Sequence, residues 1–103
     1  MPIQAKEETG ALTGFLSGDI DHASARSMML ALDKEVARRA PGLLRVDMSG
    51  VTFMDSSGIA VLLRTWRRVQ EADAAMEVTA VPRQPWKVFA TAGLPKIIPM
   101  STL

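Results

Sequence analysis

The chain has 103 residues, of which 48% are hydrophobic and 22% are charged, enough apolar material for one folded domain. Twelve basic against eleven acidic residues leave a net charge of +1, without the basic excess typical of nucleic-acid binding. The absence of cysteine and the single histidine exclude disulfides, thiolate metal sites and histidine-rich metal sites. We therefore expect a single domain over residues 1–103 that binds no nucleic acid, no metal and no cofactor.

The N-terminal stretch MPIQAKEETG contains no apolar signal core. No apolar run approaches the roughly 20 residues that a membrane-spanning helix needs. These features predict a cytoplasmic protein that does not insert into a membrane.

Two short strands, at about residues 3–8 and 11–17, are predicted on either side of a turn at Thr9 and Gly10. A helix is predicted next, over about residues 22–40. Its apolar residues recur at helical spacing and are Ala25, Met28, Met29, Leu32 and Val36. Asp21 is the predicted N-cap.

The clearest strand signals are LLRVDMS, residues 43–49, and MEVTAV, residues 76–81. Apolar residues alternate with mostly polar ones in both segments. One face would carry Leu44, Val46, Met48, Met76, Val78 and Ala80, and the other Arg45, Asp47, Glu77, Thr79 and Val81. A strand buried on both faces would instead be apolar throughout. The alternation predicts a sheet with helices on one face and a largely solvated second face.

A second long helix is predicted over about residues 56–72. Its apolar stripe consists of Ile59, Leu62, Leu63, Trp66 and Val69. A basic ridge of Arg64, Arg67 and Arg68, followed by Glu71, lies on another face. The ridge fits either a solvated surface or a docking surface for an acidic partner.

The remaining segment predicts a short helix over about residues 84–92, with Pro85 in its first turn and Gly93 just beyond its end. KIIPM is interpreted as a short last strand. The element order is then β-β-α-β-α-β-α-β. This order is typical of an α/β fold, with a mixed sheet of four to five strands joined by right-handed crossovers.

The segment Asp55-Ser56-Ser57-Gly58 stands where the second long helix begins. Its simplest interpretation is structural, since Asp55 and Ser56 are good N-cap residues and Gly58 allows a close backbone approach. A catalytic serine is disfavoured because the nucleophile-elbow glycines are missing and His22 is the only usual base. A phosphate-binding loop lacks its lysine. A further alternative to the structural interpretation is a serine that accepts a phosphate, because a helix N-terminus tolerates that negative charge.

The stretch RVDMSGVTFMDSSGIAVLL closely resembles the signature of the STAS domain family, in particular the bacterial anti-sigma factor antagonists. The segments LSGDIDHASA and FATAGLPKII resemble two further parts of the family pattern. The three segments occur in the family order and span about residues 11–98.

The resemblance implies partner switching by a protein that is not an enzyme. In this family the unphosphorylated domain binds an anti-sigma factor that is a serine kinase, and the sigma factor is released. The kinase phosphorylates the antagonist from ATP and the complex separates, and a metal-dependent serine phosphatase restores the first state. Such domains are often monomers, and we expect a monomer here.

The motif position of the phosphoacceptor corresponds to Ser56, and Asp55, Ser57 and Gly58 would form the switch loop. Asp21 would lie near the phosphorylation site by analogy. The candidate residues for a partner interface are Asp21, His22, Met54, Arg64 and Arg67.

Two other functions are weighed against this one. Some STAS domains are unphosphorylated structural subunits of ABC transporters or of stress-signalling assemblies, and the basic ridge of Arg64, Arg67 and Arg68 fits that role. A small hydrolase that uses Ser56 is the third hypothesis, and it lacks an evident base.

Overall fold

A computed structural model describes residues 3–103 of the chain. Within these residues, an initial β-hairpin is followed by three α-helices that alternate with three further strands. They are β1 (Ile3–Glu8), β2 (Ala11–Ile20), α1 (His22–Arg39), β3 (Leu43–Met54), α2 (Ser57–Glu71), β4 (Ala75–Val81), α3 (Arg83–Thr91) and β5 (Met100–Thr102), with a 3-10 turn at Leu94–Lys96 between α3 and β5.

The five strands form one mixed sheet in the order β1-β2-β3-β4-β5. β1 is antiparallel to β2, and every later neighbour pair is parallel. Because the strands follow chain order, right-handed crossovers place all three helices on the same face. The predicted α/β fold, a mixed sheet covered mainly on one face, is confirmed.

The alternation of the strands produces the core. The buried strand residues on the helix side include Leu12, Leu16, Leu44, Val46, Met48, Met76 and Val78. They pack with Met28, Leu32 and Val36 of α1 and with Val61, Leu62 and Val69 of α2. The residues that the structure describes therefore share one hydrophobic core.

The opposite face of the sheet is polar and partly solvated. Arg45 and Glu77 are direct neighbours in the β3–β4 register, and their side chains form an ion pair of 2.6 Å. The Arg45 guanidinium donates a hydrogen bond to Glu77, and this bond raises the pKa of Arg45 above its usual value. This polar face explains why the strands alternate instead of being apolar throughout.

The N-terminus of α1 has the predicted cap. The Asp21 carboxylate accepts a hydrogen bond of 3.0 Å from the Ser24 backbone N–H, and the Ser24 hydroxyl accepts one of 3.0 Å from the Asp21 N–H. This reciprocal pair is a capping box. β2 ends at Ile20, immediately before this cap, so the strand leads directly into α1.

Three predictions about the strands were wrong in detail. β2 extends to Ile20 and β3 to Met54, with irregular register between Phe15 and Ser17 and again between Gly18 and Asp19. The last strand is Met100–Thr102, because Leu94–Lys96 forms a 3-10 turn instead of leading directly into a strand.

The predicted alternation of buried and solvated side chains in β4 does not hold at the end of the strand. Ala80 has a φ of 55°, and this break in the extended backbone brings Val81 into the core, where it is 1% exposed. Val81 therefore lies on the buried side although the strict alternation places it on the polar side.

None of the helices within residues 3–103 has the length and apolar character that spanning a membrane requires.

Candidate functional site

The segment that carries Ser56 lies where two parallel strands end. Ile20, the last residue of β2, pairs with Met54, the last residue of β3. The Asp55 N–H continues this pairing and donates a hydrogen bond of 3.0 Å to the Ile20 carbonyl. The start of α1 and the start of α2 therefore lie side by side, as expected for the ends of neighbouring parallel strands.

Ser56 precedes the first residue of α2, but its side chain does not cap the helix. The Asp55 carboxylate takes that role and accepts a hydrogen bond of 2.8 Å from the Ser57 backbone N–H. Ser56 is the N-cap residue, as expected from the sequence, but the cap hydrogen bond is made by the Asp55 side chain and not by its own. The consequence is an exposed Ser56 hydroxyl that is not engaged in the helix cap, whereas Ser57 is half-buried.

Gly58 is buried in the first turn of α2, and its role is steric. It is not among the residues with positive φ, so backbone strain does not require glycine there. A Cβ at this position would lie 2.6 Å from the Met54 Cγ and closer still to its Sδ. The absence of a side chain lets α2 approach the end of β3.

Met54 was a candidate for the partner interface, and the structure contradicts this. Its side chain is 0% exposed and packs under α2. Phe53, the preceding residue, is 46% exposed and points away from the core. Since successive side chains of a strand alternate between faces, the exposed apolar side chain at the end of β3 is that of Phe53 and not that of Met54.

Gln84 fixes the segment from the side of α3, a role that the sequence did not reveal. Its Oε1 accepts a hydrogen bond of 2.8 Å from the Met54 N–H, and its Nε2 donates one of 2.8 Å to the Met54 carbonyl. A side-chain amide that pairs with both backbone groups replaces the strand neighbour that Met54 lacks on this side. β4 pairs with β3 only as far as Asp47, so this edge of β3 is otherwise open.

Asp21 and His22 lie on the other side of the segment. Hydrogen bonds hold the pKa of Asp21 below its usual value, chiefly the one from the Ser24 backbone N–H. His22 is exposed at the start of α1 and lines, with Arg26 and Ser57, a groove of about 300 Å³ between α1 and α2. The predicted nearness of Asp21 to the Ser56 segment agrees with the Ile20–Asp55 hydrogen bond.

A second groove, of about 490 Å³, begins at Ser56 and runs between α2 and α3. Its lining is mostly apolar, and its one charged residue is Lys87. The lining residues are Ser56, Ile59, Lys87, Val88, Thr91 and Ala92. The Ser56–Ser57 pair thus separates two grooves, each with at least one basic side chain in its wall.

The basic ridge lies away from Ser56. Arg64, Arg67 and Arg68 line a larger groove of about 630 Å³ between α1 and α2, together with Asp33 and Glu71. Arg64 reaches Asp33 at 3.4 Å, while the other Asp33 oxygen is buried without a hydrogen-bond partner. Arg64 and Arg67, predicted for the same interface as Asp21 and His22, belong to a groove that Ser56 does not line.

The site has no visible catalytic machinery within residues 3–103. Neither serine hydroxyl is hydrogen-bonded to a histidine or carboxylate there, and His22 shares a groove with Ser57 and not with Ser56. That part of the chain also contains no group of three or more His, Cys, Asp or Glu residues able to hold a metal ion. The arrangement offers an exposed hydroxyl on a rigid scaffold with grooves on either side.

A mixed sheet with three helices on one face and a serine-bearing helix start beside the β2–β3 end defines the class of STAS domains. A family model described as "Mlab, STAS domain" matches residues 3–99, and the chain belongs to the STAS domain family.

Curated relatives cover most of the chain. The chain is 27% identical to an anti-sigma F factor antagonist of Paenibacillus polymyxa over 97% of its own length and 86% of the relative's. It is 29% identical to an anti-sigma-B factor antagonist of Listeria monocytogenes over 93% of its length and 84% of the relative's.

Solved structures show the same fold. An anti-sigma factor antagonist from Mycobacterium paratuberculosis matches with a TM-score of 0.87 and 25% identity, covering 98% of this chain and 85% of that one. The unphosphorylated form of the antagonist SpoIIAA matches with a TM-score of 0.80 and 21% identity, covering 97% and 88% of the two chains.

Proposed function

We propose that this protein is an anti-sigma factor antagonist whose binding is switched by phosphorylation of Ser56. The unphosphorylated form binds an anti-sigma factor with serine-kinase activity, which then releases its sigma factor. The kinase transfers the γ-phosphoryl group of ATP to the Ser56 hydroxyl, and the phosphorylated antagonist dissociates. The curated relatives named as antagonists support this function.

The observation that carries the proposal is the division of roles between Asp55 and Ser56. Asp55 caps α2, so Ser56 remains exposed with its hydroxyl outside the cap. A kinase can therefore take Ser56 as substrate without the cap hydrogen bond being broken. Ser57 is less suited, because it is half-buried in the first turn of the helix.

Phosphorylation at this position changes binding and leaves the fold in place. A phosphate adds about −1.5 to −2 charges, and the N-terminus of a helix tolerates an anion. The added charge would stand beside the Asp55 carboxylate. A partner surface that fits the neutral hydroxyl and the neighbouring carboxylate would be repelled.

The test is mass spectrometry of the intact protein and its peptides, before and after incubation with ATP and the candidate anti-sigma kinase. We expect one added phosphate on Ser56, none in Ser56→Ala and normal incorporation in Ser57→Ala. Normal phosphorylation of Ser56→Ala would overturn the site assignment.

The wider cycle is part of the same proposal. A metal-dependent serine phosphatase removes the phosphate, and the exchange takes place in the cytoplasm between a monomeric antagonist and its partners. Release of phosphate from the modified protein by such a phosphatase, with recovery of anti-sigma binding, is the expected result.

One feature favours a second function, that of an unphosphorylated structural subunit which docks on an ATPase or a neighbouring STAS domain. Arg67 and Arg68 line the α1–α2 groove without an ion pair among residues 3–103. Binding to an assembly that survives Ser56→Ala but is lost in Arg67→Glu/Arg68→Glu would support this function over the switch.

A further inference from the structure

Lys87 is the charged residue of the groove that begins at Ser56. It lies on α3, with Ile59 of α2 across from it and Val88 beside it in the groove wall. Lys87 is exposed, and its ammonium group forms no ion pair with any carboxylate of residues 3–103. Thr91 hydrogen-bonds only the Lys87 backbone carbonyl, so the Lys87 side chain stays available.

The position of Lys87 relative to Ser56 is set by Gln84. The two hydrogen bonds between the Gln84 side-chain amide and the Met54 backbone tie the first turn of α3 to Met54, two residues before Ser56. Lys87 follows Gln84 by three residues, and residues three apart lie on neighbouring positions of one helix face. The Gln84–Met54 hydrogen bonds therefore hold the face of α3 that carries Lys87 against the segment that carries Ser56.

We propose that Lys87 is the counter-ion of a phosphate on Ser56, so that phosphorylation draws its side chain across the mouth of the α2–α3 groove. The inference rests on the proposed function in one respect, the phosphorylation of Ser56. Lysine suits this role, since its flexible four-carbon stem carries a point charge with three donors that can follow the phosphate oxygens.

An ion pair between Lys87 and the phosphate on Ser56 gives phosphorylation a second effect on binding, besides the repulsion of an acidic partner surface. In the unphosphorylated protein the groove between Ile59 and Val88 is open, and Lys87 is free to meet an acidic group of a partner. In the phosphorylated protein the same ammonium group is held by the phosphate. The modification thus adds negative charge and withdraws a positive one from the partner surface.

Other charged groups around Ser56 act on the phosphate as well. Asp55 is adjacent in the chain, and Asp21, His22 and Arg26 face the segment from the start of α1. The dipole of α2 also favours the anion. These contributions stay constant when only Lys87 is changed, so its effect is obtained by difference.

The experiment is a phosphorus NMR titration of the full chain with phosphoserine incorporated at position 56 during translation, which requires no kinase. A neighbouring cation favours the dianion, so the second pKa of the phosphate should rise in Lys87→Gln by about 0.2 to 0.7 unit, as expected for an exposed ion pair. Lys87→Arg should keep the lower pKa. Lys34→Gln on α1 removes the same charge from an exposed position outside both grooves and should leave the pKa unchanged.

A second readout follows the lysine itself. Amide chemical shifts of Lys87, Val88 and Thr91 should move between the unmodified and the phosphorylated protein, and this change should shrink in Lys87→Gln. An unchanged phosphate pKa in Lys87→Gln, or an equal rise in Lys34→Gln, would overturn the proposal. Because the phosphoserine is installed directly, these outcomes stand apart from the search for a kinase, whose failure would count against the proposed function alone.

Discussion

The packing of α2 on the end of β3 leads to a prediction about Gly58→Ala. Alanine is the better helix former by up to about 1 kcal/mol, so a substitution judged by propensity alone should stabilise the protein. The structure predicts the opposite sign. The new Cβ would lie 2.6 Å from the Met54 Cγ, and Met54 is completely buried, with little room to move aside.

Overpacking of this kind costs about 1 to 3 kcal/mol. After subtraction of the propensity gain, which is smaller in the first turn of a helix than in its middle, we expect Gly58→Ala to lose about 1 to 2 kcal/mol of unfolding free energy. For a domain of this size each kcal/mol corresponds to about 4 to 8 °C in Tm. Urea denaturation followed by circular dichroism measures the difference.

The same substitution in a Met54→Ala background isolates the cause. Met54→Ala alone should cost about 2 to 5 kcal/mol, because it leaves a cavity. With the long side chain removed, Gly58→Ala should become neutral or stabilising, which amounts to a coupling free energy of about 1 to 3 kcal/mol. Gly42→Ala is a control, since a Cβ there meets only the Gly10 carbonyl at an ordinary 3.5 Å. Equal destabilisation by Gly58→Ala in both backgrounds would refute the steric explanation.

Three further predictions concern the surroundings of the site. Gln84→Ala should lower the free energy of unfolding by about 1 to 3 kcal/mol, because two hydrogen bonds with the Met54 backbone are lost. It should also speed hydrogen exchange at the Met54 amide, and an unaltered exchange rate would contradict the role of Gln84 in holding Met54. Ser56→Asp should weaken binding to the anti-sigma factor, as measured by calorimetry. It should change the free energy of unfolding in urea by no more than about 1 kcal/mol, since a negative residue suits a helix start. Binding of the Ser56→Asp variant with unchanged affinity would count against charge as the switch. The hydrogen bond from the Ser24 N–H lowers the pKa of Asp21, so the ionised cap adds stability above the unfolded pKa of about 3.9, and this is lost as pH falls through the lower folded value. Asp21→Asn should therefore be less stable than wild type at pH 7 and approach it in acid, and a constant gap in urea titrations across pH would contradict this.

The order of the elements could be predicted because each one carries its own local signal. The helix at His22–Arg39 is marked by its N-cap and its apolar spacing, and the capping box at Asp21 follows directly from that local pattern. The strand at Ala75–Val81 likewise carries a local signal, the alternation of apolar and polar residues. Its end was assigned to the wrong face because Ala80 adopts a positive φ that alternation does not reveal.

The residue whose side chain caps α2 could be predicted only in part from the sequence. Asp55 and Ser56 have equal preference for helix starts, so propensity does not choose between them. The structure assigns the cap hydrogen bond to Asp55 because its N–H is already tied to Ile20, which orients its carboxylate towards Ser57. That tertiary contact is what leaves Ser56 exposed.

The sequence by itself determined the alternation of strands and helices, the single polar face of the sheet and the position of the serine motif, since these depend on residues close together in the chain. Only the tertiary structure decided that Met54 is buried beneath Gly58, that Gln84 holds the Met54 backbone and that Lys87 shares a groove with Ser56. Lys87 and Ser56 are far apart in the chain and are brought together by the packing of α3 beside α2. Such a contact is set by the docking of whole elements, which no local pattern of residues encodes.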